Sequence, residues 1–149
     1  MTPRMITSVF GLGFIKKAPG TFGSIPGLLL GYSLSHLPIW AALFILSLLT
    51  YFSVLAIRKV ESELNAHDPS EIVIDEVIGQ ALAVFLLPQQ LKVYILAFCL
   101  FRLFDILKPG IIGWVDQNIR GAFGTIADDL MAGLIAGSCV WIIISLKVF

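Results

Sequence analysis

The sequence predicts an all-α fold, a compact helical integral-membrane bundle of about four or five apolar helices with polar cytoplasmic loops, and three observations carry this. The chain is 58% hydrophobic and 13% charged, with a mean hydropathy of +0.94, whereas soluble domains average roughly 45–50% apolar residues. Uncharged apolar runs recur along it, the clearest at residues 39–57. Its charges fall almost entirely between alternate runs, as they do in a chain that crosses a membrane repeatedly. Residues 1–149 are expected to form one domain, since no linker, low-complexity tract or repeat divides them.

Taken in order, the glycine-rich stretch from Gly11 to Ser24 reads as a loop entering a helix, followed by a short apolar segment at 26–37. Residues 39–57 suffice to cross a bilayer core of about 30 Å. Residues 77–87 are again short, so this segment and 26–37 are expected to be tilted, re-entrant or packed inside the bundle. Residues 93–107 and 130–146 complete the set, the former carrying Arg102 and Asp105 near its end. The first residues contain no apolar run followed by a small-residue cleavage site, so no secretory signal is expected. Cys99 and Cys139 lie in apolar stretches, which suits packing and neither a disulfide framework nor a zinc site.

Cutting the chain at these segments puts eight of the ten basic residues on one side, leaving Lys92 and Lys147 for the other. By the positive-inside rule the first side is cytoplasmic. All ten acids fall on that side too: Glu61, Glu63, Asp68, Glu71, Asp75, Glu76, Asp105, Asp116, Asp128 and Asp129. Zero net charge and the lack of a basic run longer than two residues argue against nucleic-acid binding.

Three polar blocks can carry chemistry. In the first, Gly11 to Ser24, backbone N–H groups at a helix start favour anions, and Thr21 and Ser24 can add hydroxyl donors to a phosphate. An ordinary Pro-Gly turn with a capping hydroxyl explains the same residues. The spacing does not match the nucleotide-binding Gly-x-x-x-x-Gly-Lys-Ser/Thr loop, so no nucleotide is expected. In the second, His67 to Gly79, Asp75 and Glu76 stand directly before apolar residues. Two carboxylates there are costly unless a cation pairs with them, although a cap and a first-turn acid would also suit the helix dipole. In the third, Arg102, Asp105 and Lys108 recur every three residues, forming a polar stripe on a helix that Pro109 ends. Downstream come Asp116, Asn118 and the pair Asp128-Asp129, again at the start of an apolar segment.

Hard carboxylate oxygens in this pattern suit Mg²⁺, which takes one or two carboxylates and fills its shell with waters and phosphate oxygens. Asp75, Glu76, Asp128 and Asp129 are the candidate metal ligands or general base, with Asp105 beside them; Lys108, Arg102 and Thr21 are the candidate phosphate contacts. Neither cysteine is followed by a phosphate-cradling loop, His67 has no histidine partner on its side, and no Gly-x-Ser-x-Gly elbow exists. A small ion or divalent-metal transporter, or a structural membrane protein without chemistry, would use the same acids differently.

Together the blocks resemble the phosphatidylglycerophosphatase A family of bacterial membrane enzymes. The matching stretches are Pro19-Gly-Thr-Phe-Gly-Ser24, His67-Asp68 with Ile72 to Gly79, and Phe101-Arg-x-x-Asp105-x-x-Lys108-Pro109 through Asp116, Asn118 and Gly124 to Asp128-Asp129-x-x-Ala132-Gly133. Departures are small: Gly110, Ala122 and Phe123 stand where the family usually has other residues. The resemblance implies a Mg²⁺-dependent phosphatase that converts phosphatidylglycerophosphate to phosphatidylglycerol and inorganic phosphate. It also implies a multi-pass protein of the bacterial inner membrane with its site facing the cytoplasm. His67 and Asp68 match the motif, where they either belong to the site or only orient the loop.

Overall fold

The computed structural model describes residues 2–66 and 69–146. Among them are seven α-helices and no strand: α1 (Pro3–Thr7), α2 (Pro19–Leu34), α3 (Ile39–Leu64), α4 (Ile74–Val84), α5 (Leu91–Leu107), α6 (Ile111–Asn118) and α7 (Ala122–Ser145), with a 3₁₀ turn at Leu12–Phe14. Five of these hold most of each of the five apolar segments. The short helices α1 and α6 are additional, and both belong to the polar end of the bundle.

Helix α2 begins earlier than the glycine-rich sequence suggests. Ala18 adopts a left-handed conformation (φ 51°) and Pro19 opens the helix, which runs on through Pro26. A proline fixes a helical φ at the first position, where its missing N–H is no loss. Helix α2 lies directly on α4. A methyl group at Gly27 would stand 2.6 Å from the Val77 carbonyl oxygen, and one at Gly31 would be 2.8 Å from that of Ala81. The same device joins α4 to α7, where a side chain at Gly133 would overlap the Gly79 carbonyl and one at Gly137 would come within 2.7 Å of that of Ala83. Small residues let backbones approach where neither partner has polar side chains to offer.

These contacts fix the directions. Helices α2, α4 and α7 start at one end of the bundle and run parallel, while α3 and α5 return between them. The segments holding Lys16 and Lys17, Glu71, and Asp116 therefore meet at one end. Short turns after α2 and α4 close the other. α1 is fastened across the polar end by a two-bond ion pair, Arg4 Nε and Nη2 to the Glu71 carboxylate at 2.6 and 2.7 Å, and by Val73 N–H donating to the Thr7 carbonyl at 2.9 Å.

Helix α4 is the centre of the molecule. Eight of its 11 residues are buried, and it touches α2, α3, α5 and α7. Around it, Ala83, Val84, Val93, Ala97, Phe101, Ala132, Ala136 and Val140 form the main core. Helices α3 and α7, with 26 and 24 residues, are long and apolar enough to cross a membrane. The outward faces are apolar as well: Trp40, Phe44, Leu91 and Trp141 are each more than 60% exposed, far beyond the scattered apolar exposure of water-soluble chains.

Candidate active site

The starts of α2, α4 and α7 and the end of α5 surround a cleft of about 250 Å³ lined by Ala18, Pro19, Gly20, Ser70, Ile72, Asp75, Glu76, Arg102, Asp105, Lys108, Thr125, Asp128 and Asp129. Helix starts carry partial positive charge and unpaired N–H groups, so three of the four elements favour anions at this point. α4 contributes Asp75 and Glu76 from its first turn. α7, opened by Gly121 at φ 77°, contributes Thr125, Asp128 and Asp129. The stripe on α5 supplies Arg102, Asp105 and Lys108.

Asp75, Glu76 and Asp129 each offer an oxygen, and these oxygens lie within 4.8 Å of one another. An octahedral ion with bonds of about 2.0–2.1 Å places its ligands about 2.9 Å apart when adjacent and about 4.2 Å when opposite. The trio therefore fits a small divalent cation after a slight closing movement. Asp75 and Asp129 are 6% and 3% exposed, and Glu76 Oε2 is buried without a hydrogen-bond partner. Burial pushes the Glu76 carboxyl above its ordinary range, and Asp105 adds to this, against the opposing influence of the Asp75 hydrogen bond and Arg102. Such a group gains most from a cation.

The cationic side chains are arranged against this cluster. Arg102 Nη1 lies 2.5 Å from Asp105 Oδ2 and 3.9 Å from Glu76 Oε1, so the guanidinium bridges α5 and α4. Its Nε is buried with no hydrogen-bond partner, as is Thr125 Oγ1. Lys108 ends α5 in a left-handed conformation (φ 46°). Its Nζ donates to Asp116 Oδ1 and Asp128 Oδ2, both at 2.5 Å. Burial works against the ammonium, but the two carboxylates outweigh it and raise the Lys108 pKa above its ordinary value. Asp128 also accepts the N–H of Asp129 at 3.1 Å.

Gly20 closes the wall. A methyl group there would overlap Glu76 Oε1 and stand 3.0 Å from both terminal nitrogens of Arg102. Only a residue without a side chain lets the start of α2 approach the carboxylate cluster so closely.

The family model of phosphatidylglycerophosphatase A matches residues 5–144. The chain belongs to this family. Among curated proteins, the phosphatidylglycerophosphatase A of Haemophilus influenzae is 37% identical over 85% of this chain and 79% of its own. That of Escherichia coli is 31% identical over 90% and 78%. A Bacteroides thetaiotaomicron protein with the provisional name phosphatidylinositol-3-phosphatase is 34% identical over 89% and 87%. No solved structure matches the chain significantly.

Among the described residues, the charged groups of the second and third blocks are largely brought to one cleft. Asp75, Glu76, Arg102, Asp105, Lys108, Asp128 and Asp129 all line it. Not all of the expected set joins the converging trio or reaches the lining. Asp128 is turned to Lys108 and stands outside the converging trio. Thr21 is half-buried but absent from the lining, which Gly20 provides instead. Ser24 is fully buried and its hydroxyl donates to the Gly20 carbonyl at 2.8 Å, so it supports the first turn of α2 and is not presented to a ligand. Asp116 sits at the rim on Lys108, and Asn118 donates to the Trp114 carbonyl at 2.7 Å, on an exposed face of α6. His67 and Asp68 lie outside the described residues.

The lining also includes residues that the sequence does not single out, among them Gly20, Ser70 and Thr125. Thr125 was findable, since it lies four residues before Asp129 on one helix and so shares its face. Gly20 becomes significant only once α2 is known to begin at Pro19.

Proposed function

We propose that the chain is a Mg²⁺-dependent phosphatase that removes the terminal phosphate of phosphatidylglycerophosphate at the cytoplasmic face of a bacterial inner membrane, which it crosses several times. The convergence of Asp75, Glu76 and Asp129 in a cleft shared with Arg102 and Lys108 carries this reading. Family membership and the names of the relatives from Haemophilus influenzae and Escherichia coli supply the substrate. The apolar outer faces and the clustering of charge at one end support the membrane setting and the cytoplasmic orientation.

Asp75, Glu76 and Asp129 would hold the ion. Bound there, it would supply charge neutralisation for the phosphate and Lewis-acid activation of water. The protein's own groups do the rest. Arg102 and Thr125 line the cleft with unpartnered donors for the phosphoryl oxygens, positioned before any ligand arrives. Lys108 contributes positive charge at the rim, aimed by Asp116 and Asp128. Asp105, ion-paired with Arg102 at 2.5 Å, is the carboxylate placed to take a proton from an attacking water. The glycerol oxygen leaves as phosphorus gains its new bond, and the wet rim can return the proton to it.

A carboxylate cluster serving ion transport would need a polar path to the far end, and α3 offers only scattered hydroxyls there. The 34% identical relative named for phosphatidylinositol 3-phosphate favours a second substrate reading on the same chemistry. Both are tested by phosphate release from the two lipids in detergent micelles. Phosphatidylglycerophosphate should be the better substrate by kcat/KM, with turnover abolished by chelator, restored by Mg²⁺, and lost in Asp129→Asn without loss of helicity. Turnover persisting in chelator would remove the metal from the mechanism, and preference for the inositide would reassign the substrate.

A further inference from the structure

Gln80 is fully buried, yet neither its amide nitrogen nor its oxygen has a hydrogen-bond partner. Buried amides in folded proteins are nearly always paired, because leaving one unpaired forfeits its hydration without return. A methionine or leucine would fill the same volume at no such cost. The stem of Gln80 is pinned against α2, since a methyl group at Gly27 would stand 2.7 Å from its Cβ and 3.2 Å from its Cγ. One turn earlier on α4, Glu76 presents Oε2, which is also buried and unpartnered. Residues four apart on a helix share a face, so two unsatisfied polar groups of matching character stand one above the other. The other oxygen of Glu76 is already engaged, with Arg102 at 3.9 Å and Gly20 against it.

We propose that Gln80 is a positioning residue for the cation site, its amide donating to Glu76 Oε2, directly after rotation of the Gln80 side chain or through one buried water. It thereby holds the carboxylate in the orientation that meets Asp75 and Asp129. Groups that orient metal-binding carboxylates typically account for about 10- to 100-fold in metal affinity. This inference rests on the cation reading of the site, and its test separates the two.

The test measures Mn²⁺ binding to purified protein in detergent without substrate, by the loss of the free-ion paramagnetic resonance signal, together with thermal unfolding in chelator. Wild-type protein should bind the ion. Gln80→Met should unfold in chelator at the wild-type temperature or above it, since an unpaired amide has been removed, while its Mn²⁺ dissociation constant rises about 10- to 100-fold. In a Glu76→Gln background the same substitution should change affinity less than about twofold, because its effect passes through Glu76. Wild-type affinity in Gln80→Met overturns the inference and leaves the cation site standing, and so does an equal loss in the Glu76→Gln background. Failure of both Gln80→Met and Gln80→Leu to fold overturns it by making the amide structural. No Mn²⁺ binding by wild-type protein overturns the cation site and the inference together.

Discussion

Replacing Gly20 by alanine adds a single methyl group at the most crowded point of the cleft. That methyl would overlap Glu76 Oε1 and press on Arg102 at 3.0 Å. Restoring an ordinary separation of about 3.5 Å requires the carboxylate to move by more than about 1 Å. The alternative is for the start of α2 to swing away, but the crossings at Gly27 and Gly31 hold it on α4. A displacement of about 1 Å at a reacting centre costs on the order of 100-fold in rate. It also takes an oxygen out of a shell that tolerates only about 2.0–2.1 Å. Stability responds differently, because alanine is favoured over glycine in a helix by about 1 kcal/mol, which offsets part of the crowding. The expected result is a kcat/KM for phosphatidylglycerophosphate lowered on the order of 100-fold, a raised Mg²⁺ requirement, and an unfolding temperature within a few degrees of wild type. Phosphate release in detergent micelles at several Mg²⁺ concentrations, with unfolding followed by circular dichroism, measures all three. Wild-type kcat/KM in Gly20→Ala would refute the placement of α2 against Glu76.

Lys108→Met leaves Asp128 buried without its cation, and a loss of about 1–3 kcal/mol is expected, between the values for exposed and fully buried pairs. Because the Lys108 pKa is raised on folding, its contribution is complete below the unfolded value near about 10.4 and declines as pH climbs through the folded one. Alkaline unfolding should therefore separate wild type from Lys108→Met near neutrality and bring them together at high pH; a gap that widens with pH would contradict the pairing. Thr125→Val keeps the volume and removes the unpartnered hydroxyl, so kcat/KM should fall about 10- to 100-fold, the value of one hydrogen bond to a charged group, at unchanged stability. Unaltered kinetics would remove Thr125 from the phosphate cradle. Ser24→Ala should lower unfolding stability by about 1 kcal/mol and leave KM within about twofold, whereas a large rise in KM would restore Ser24 as a substrate contact.

The legible part of this protein is the part written in expensive residues. Carboxylates beside apolar helices carry a large penalty, so Asp75, Glu76, Asp105, Asp128 and Asp129 stand out from the surrounding sequence, and a three-residue spacing is enough to put Arg102, Asp105 and Lys108 on one stripe. Which acids meet is set by where helices cross, and here the crossings depend on glycines whose importance lies in what they lack. Gly79 and Gly133 determine how α4 and α7 align, and hence that Asp129 joins Asp75 and Glu76 while Asp128 turns to Lys108. Serine and threonine were ambiguous for a related reason. A hydroxyl can bond its own helix, as Ser24 does, or remain free, as Thr125 does, and only the neighbouring backbone decides between them.

Two of the three converging carboxylates stand on α4, a helix about 16 Å long that is enclosed on every side by its neighbours. An isolated helix of 11 residues does not persist, because nucleation outweighs what so few bonds return. Asp75 and Glu76 can therefore face Asp129 only after α2, α5 and α7 have closed around them. While the chain is being made, its first two long helices are complete before α7 has been synthesised, and at that stage nothing in it can gather the carboxylates. Hydrolytic competence is then the last property the molecule acquires, and a truncated or misassembled copy would be inert towards the phospholipids around it.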